Sequence, residues 1–203
     1  MAKKKQQEAL SSEEKIKEAA RKVFMEKGYA ATRTRDIAEA AGINLALLNY
    51  YFRSKEKLFE LVMQEKLSSF FGLILPVLQD PQSSLDDKIH IISDRYISML
   101  AANPDLPLFV LNAMRNAPKK FAALLKGVDH VLDSAFAKQL KEQNPNVAPE
   151  QLFINIMSLC IFPFAMRPGL EVISPKIGTQ FPVLMEERKK LVPKWMRAML
   201  KVK

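Results

Sequence analysis

In this 203-residue chain, Asn49 is the side chain best suited to reading another molecule. Its amide presents a donor and an acceptor side by side, the pair that matches the N6 and N7 edge of adenine in the DNA major groove. At about 100° per residue, Leu45, Ala46, Asn49 and Tyr50 share one side of a helix. Leu45 and Ala46 are small or apolar enough to meet a thymine methyl. Leu47, Leu48 and Tyr51 fall on the other side, where Ile37, Ala38 and Ala41 can receive them.

Holding such a face steady takes a short rigid unit, and residues 28–59, GYAATRTRDIAEAAGINLALLNYYFRSKEKLF, have its signals. Thr34 is a cap for a first helix, with Asp36 favoured near its positive end. Gly42 ends that helix, because a left-handed residue past the last turn carries no steric cost without a Cβ. Asn44 caps the next helix two residues on. Two short helices about a glycine turn make a helix-turn-helix, whose second member lies in the major groove. The same pattern alone also fits an ordinary helical hairpin with a solvated Asn and Tyr.

Ala19-Ala20, Phe24, Gly28-Tyr29, Thr34, Ile37-Ala38, Ala41-Gly42-Ile43, Leu48, Tyr50-Tyr51-Phe52 and Ser54-Lys55-Glu56-Lys57-Leu58 resemble the N-terminal domain of TetR-type bacterial transcriptional repressors, over about residues 12–62. The resemblance implies an all-α homodimer with a three-helix DNA-binding head and a larger C-terminal ligand-sensing and dimerisation domain. Carried over by position, Thr34, Arg35, Leu45, Ala46, Asn49, Tyr50, Tyr51 and Lys55 are the expected DNA contacts, and Asn44 is counted with them as the start of the reading helix. The chain departs from the family pattern at Asn49, where a tyrosine is usual, and at Leu45-Ala46, often polar or basic. The operator is therefore not legible. The implied mechanism is a pseudo-palindromic operator gripped by two heads and released when a small molecule in the C-terminal domain moves the helix at 54–78.

Composition fits that division. The net charge of +9 is uneven: +4 over residues 1–66, zero over 67–185 and +5 over 186–203. A neutral middle between basic ends fits a DNA-binding head joined to a domain with another task. The terminal basic run, Arg188-Lys189-Lys190 with Lys194, Arg197, Lys201 and Lys203, also fits a solvated helix face. Residues 1–10 are basic and polar with no apolar stretch behind them, which argues against a secretory signal and leaves either a flexible DNA-reaching arm or a solubilising tail. The apolar stretch Leu152–Met166 is shorter than the roughly 20 residues of a membrane span. A cytoplasmic protein with no membrane partner is expected. The domains expected are the arm at 1–10, the head at 11–60 and the sensing domain at 61–203.

The expected helices start at Ser11, whose spacing to Glu14 suits a capping box, and end at Gly28; Ser54 caps a segment to about Leu78, and Ser84 one to about Ala102. Further helices are expected from Asn103-Pro104 to about Ala113, from Pro118 to Gln143, at 150–166 and at 182–201, the last bent at Pro193. Residues 170–180 read as irregular. The helix at 150–166 is apolar on nearly every side, and the final one presents Phe181, Leu184, Leu191, Trp195, Met199 and Leu200. By the resemblance these two form the intersubunit bundle.

The ligand is expected to be largely apolar, since the sensing domain is rich in Phe and Met, though those same residues would serve as core. Its candidate contacts are His90, Arg95, Tyr96, Met99, Phe109, Asn112, Arg115 and Asn155. Arg95 and Arg115 would suit an acidic ligand or, equally, Asp94 and Asp105. Asp86, His90 and Asp94 share a helix face, and His130 sits near Asp129 and Asp133. Both arrangements have the ingredients of a metal or acid–base site, but aspartates near a helix start are favoured by the dipole alone. No nucleophile elbow or phosphate loop is present, and Cys160, the only cysteine, lies in an apolar run. Neither an enzyme nor a cofactor nor a metal is expected; a DNA-binding protein of the same fold without a ligand remains the other alternative.

Overall fold

Short polar residues and prolines decide where these helices begin. The computed structural model describes the backbone of residues 2–125 and 128–201, and along them the chain is helical with no strand. The helices are α1 (Ala2–Ala31), α2 (Thr34–Ala40), α3 (Leu45–Tyr51), α4 (Lys55–Gln79), α5 (Leu85–Ala102) and α6 (Leu106–Asn116). They continue as α7 (Pro118–Leu124), α8 (Val128–Leu132), α9 (Ala135–Gln143), α10 (Pro149–Ala165), α11 (Arg167–Ile173) and α12 (Phe181–Leu200), with a 3-10 turn at Ser174–Ile177. Ser54, Ser84 and Ser134 cap α4, α5 and α9, accepting the N–H of Lys57 (3.1 Å), Asp87 (3.1 Å) and Ala137 (3.3 Å). Pro149 and Pro182 stand in the first turn of α10 and α12, where a missing N–H leaves nothing unpaired.

Four expectations are corrected. Residues 2–10 are not set apart as an arm: α1 runs through them, since Ala, Lys, Gln, Glu and Leu favour a helix and no breaker precedes Ser11. Ser11 is thus inside the helix, its side chain and those before it lying outside the described residues. The helix expected over 118–143 is three helices, because Ser134 turns back to donate to Val131 O (2.6 Å) while capping α9. Residues 170–173 are helical: Pro168 sits in the first turn of α11, so it starts a helix instead of preventing one. The chain also divides differently. One compact unit comprises Met1–Ser68 and Leu108–Leu124, the other Ser69–Pro107 and Leu125–Lys203. The segment 108–124 joins the head because Phe109 is buried there with its ring 5.1 Å from that of Phe59.

The first unit is built on Ile16, Ala20, Phe24, Ile37, Leu48, Leu58 and Met63, all fully enclosed. Phe59 meets Phe24 edge-on at 5.2 Å and Tyr29 at 4.7 Å, which fixes α4 against the end of α1. In the second unit α5 packs against α12, α10 and α9 through Ile89, Ile97, Leu140, Ile156, Val192 and Met196. The Lys88 stem is enclosed while its ammonium donates to Ser83 O (2.6 Å) and Oγ (3.0 Å), and burial pulls its pKa down. Cys160 is buried in α10, which pushes its thiol up to about 12. α4 is long and apolar enough to cross a bilayer by length and composition. Its Leu58, Val62, Met63, Leu67, Ile74, Val77 and Leu78 are nevertheless inside the protein.

Replacing Phe24 by alanine leaves a cavity among these rings and is expected to destabilise the protein by about 3–5 kcal/mol. A urea unfolding midpoint shows this directly, and a loss below about 1 kcal/mol would mean that the ring is not part of the core.

Candidate nucleic-acid interface

The turn between α1 and α2 is the foundation of the exposed reading face. Gly28 takes φ +71°, breaking α1 there as the sequence suggests. Thr32 is buried, and its hydroxyl donates to Gly28 O at 2.6 Å, closing the turn. The cap of α2 is Arg33, not Thr34, which is the first helical residue. The reason is Asp36: its carboxylate accepts the Arg33 N–H at 3.0 Å, so the side chain three positions on does the capping. That N–H, with Lys27 at 3.3 Å, holds the Asp36 carboxyl below its ordinary value.

α2 ends in a complete Schellman turn. Ile43 N–H donates to Ala38 O (3.0 Å) and Gly42 N–H to Glu39 O (3.0 Å), with Gly42 at φ +65°. Asn44 then caps α3 by accepting the Leu47 N–H at 2.8 Å. Leu48 is fully buried, Leu47, Tyr51 and Leu45 are half-buried, and Ala46, Asn49 and Tyr50 are exposed. The division read from the sequence thus holds, with Leu45 at its edge. Tyr50 is 78% exposed and meets Tyr51 edge-on at 5.3 Å. Arg35 is exposed and Thr34 half-buried.

Lys55 is placed differently from its neighbours. Its ammonium donates to Tyr29 O and Thr32 O, both at 2.9 Å, and lies 4.2 Å from the centre of the Tyr29 ring. Arg33, Arg53 and Lys57, absent from the sequence-derived set, are exposed beside α2 and α4. Their signal was position: each flanks a helix start within the matched motif, where cations meet phosphates.

The candidate ligand residues are scattered. Phe109, Asn112 and Arg115 fall in the first unit; His90, Arg95, Tyr96, Met99 and Asn155 fall in the second. His90, Arg95, Asn112 and Arg115 are exposed, and Arg95 donates to Leu73 O at 3.2 Å. Tyr96 is buried against the Phe70 ring at 5.0 Å, which pushes its phenol upward. Asn155 donates to Met199 Sδ at 3.7 Å. Asp86, from the possible metal face, pairs with Arg197 at 2.9 Å.

Residues 16–62 match the family model of bacterial regulatory proteins of the tetR family. Residues 16–62 are thus similar to the domain shared by that family. Over 76 residues the chain is 34% identical to the HTH-type transcriptional repressor KstR2 of Mycolicibacterium smegmatis, covering 37% of each chain. The chain therefore spans well under two thirds of that relative's length in the match. The likeness of the all-helical fold extends further. A transcriptional regulator from Streptomyces coelicolor superposes with a TM-score of 0.68 at 19% identity, over 92% of this chain and 96% of that one. The regulator FadR of Bacillus subtilis, in complex with stearoyl-CoA, does so at 0.63 and 18%, over 88% and 96%.

In this N-terminal unit a Cβ at Gly42 would meet nothing within 4 Å, so the cost of Gly42→Ala is the backbone alone. A loss of about 1–2 kcal/mol is expected in thermal unfolding, with weaker DNA binding. An unchanged melting temperature would show that the turn relaxes to a right-handed conformation.

Proposed function

We propose that the protein is a ligand-responsive transcriptional repressor that binds a pseudo-palindromic operator as a homodimer in the bacterial cytoplasm, and that it is not an enzyme. The observation that carries this is the exposed Ala46–Asn49–Tyr50 face of α3, held outward by buried Leu48 inside a TetR-family head. Asn49 reads adenine, Leu45 and Ala46 meet thymine methyls, and Thr34, Arg35, Tyr50 and Tyr51 contact the backbone or flanking bases. Asn44 serves by aiming the helix.

The second subunit docks on α10 and α12. Support for this is an uncovered apolar face: Ile154 and Phe162 on α10, Met166 just past its end, and Trp195 and Met199 on α12 are all exposed. Arg188 lies among them, donating to Leu159 O at 2.7 Å and stacking 5.1 Å from the Trp195 ring. An apolar face of this kind is costly in water and marks an interface. Dimerisation sets two reading helices at successive major grooves, about 34–36 Å or a multiple apart.

The ligand is a largely apolar small molecule, an acyl-CoA being the first class to test, because FadR of like fold holds stearoyl-CoA. Tyr96, Met99 and Asn155 of the second unit are its first candidate contacts, followed by His90 and Arg95 there; Phe109, Asn112 and Arg115, expected with them, belong to the first unit. Ligand and operator need oppose each other by only about 1–3 kcal/mol for a 5–150-fold change in affinity.

Selection of bound duplexes from genomic fragments is expected to recover a palindrome whose affinity falls steeply with salt. Asn49→Ala should then flatten the preference at one base position per half-site, by about 1–3 kcal/mol, without changing the melting temperature. Recovery of no common sequence, or an unaltered preference in the variant, would exclude Asn49 as a base reader. Placing aspartate at both Phe162 and Trp195 should yield monomers in sedimentation equilibrium and weaken operator binding by about 100-fold or more, as the two heads lose their linkage. A dimer that survives the double change would put the interface elsewhere.

A further inference from the structure

α4 supplies residues to both compact units: its stretch from Lys55 to Ser68 belongs to the head, and the stretch from Ser69 belongs to the other unit. Its first residue is Lys55, a lysine at the edge of a DNA-binding face and therefore a natural partner for a phosphate. Its ammonium is already engaged. It donates to Tyr29 O and to Thr32 O, each at 2.9 Å, and lies 4.2 Å from the Tyr29 ring centre. Tyr29 lies in the last turn of α1, just past the break at Gly28, and Thr32 is the first residue after α1. Arg33, the cap of α2, is the next residue after Thr32. Tyr29 itself packs on Phe59, one turn further along α4, so charge and ring fix the same junction.

We propose that Lys55 is a positioning residue that couples α4 to the α1–α2 turn and so sets the aim of the reading helix, and that it makes no phosphate contact. Two of its three ammonium donors are committed to carbonyls of the head and its charge lies on the Tyr29 ring, so a phosphate would compete with these contacts for the same cation. Movement of α4 instead carries the turn at 29–32 with it, and through Arg33 and Asp36 the start of α2. Arg33, Arg53 and Lys57, all exposed, remain to neutralise phosphates.

This rests on the proposed DNA binding, and the two fail in different ways. Binding of the full-length protein is measured on a random-sequence duplex and on the selected operator, between 50 and 200 mM salt, for wild type and Lys55→Met. Methionine keeps the stem and removes the donors. With Lys55 as a positioning residue, the variant retains the wild-type salt slope on the random duplex, and its preference for operator over random duplex falls at least tenfold. Lys55→Arg, which can donate to both carbonyls and stack on Tyr29, restores that preference in part. If instead the slope drops by about 0.9 per head while the preference is unchanged, Lys55 is a phosphate contact and the proposal is wrong. An unchanged slope with an unchanged preference overturns it as well. Should Lys55→Met not fold, the wild-type ammonium signal followed by 15N NMR decides: it stays in place on adding duplex, or, against the proposal, shows coupling to phosphorus. A wild type that shows no salt-dependent binding to either duplex would sink the DNA-binding assignment itself.

Discussion

Burial of Leu48 fixes what the head can offer. With that side chain sealed under α3, the opposite flank of a seven-residue helix has no freedom to roll, so Ala46, Asn49 and Tyr50 face solvent together. A helix this short is far below the length that is stable alone in water. It exists because the Gly42 turn delivers the chain at the right angle, Asn44 satisfies its first free N–H and Leu48 anchors it. Weakening any one of these moves the whole face at once, since all of it is carried on the one short helix.

The second unit rests on a different balance. Its apolar residues do two jobs: those of α5, and the inner flanks of α10 and α12, make a core, while the outer flanks stay uncovered. One helix, α4, is common to both units.

The local signals were legible because they act over four residues or fewer. Gly42, Asn44, Ser54 and Ser84 do what their types and neighbours require, and the period of α3 separates Leu48 from Asn49 without any knowledge of the rest. The cap of α2 was displaced by one residue, since either Thr34 or the Asp36 carboxylate can serve and only the backbone angle chooses. α11 was missed because Arg167-Pro168-Gly169 ends one helix and starts another with the same residues. Nothing local joins Phe109 to Phe59, 50 positions away, so the allegiance of 108–124 was out of reach. Six of the candidate ligand residues were chosen by polarity beside apolar runs and two, Met99 and Phe109, as large apolar side chains, criteria blind to exposure; four of the eight face solvent. Lys55 shows the same limit: its place in the motif implies a DNA contact, and only the structure shows its ammonium held by Tyr29 O and Thr32 O.

The buried thiol of Cys160 has a practical consequence. With its pKa pushed up to about 12, only roughly one molecule in 10⁵ holds a thiolate at neutral pH, and the sulfur is closed to solvent besides. Maleimides will therefore react only slowly with Cys160 in the folded chain. Any cysteine engineered onto its surface becomes a unique handle for fluorophores or spin labels, so distances between two heads can be followed without first deleting the native sulfur.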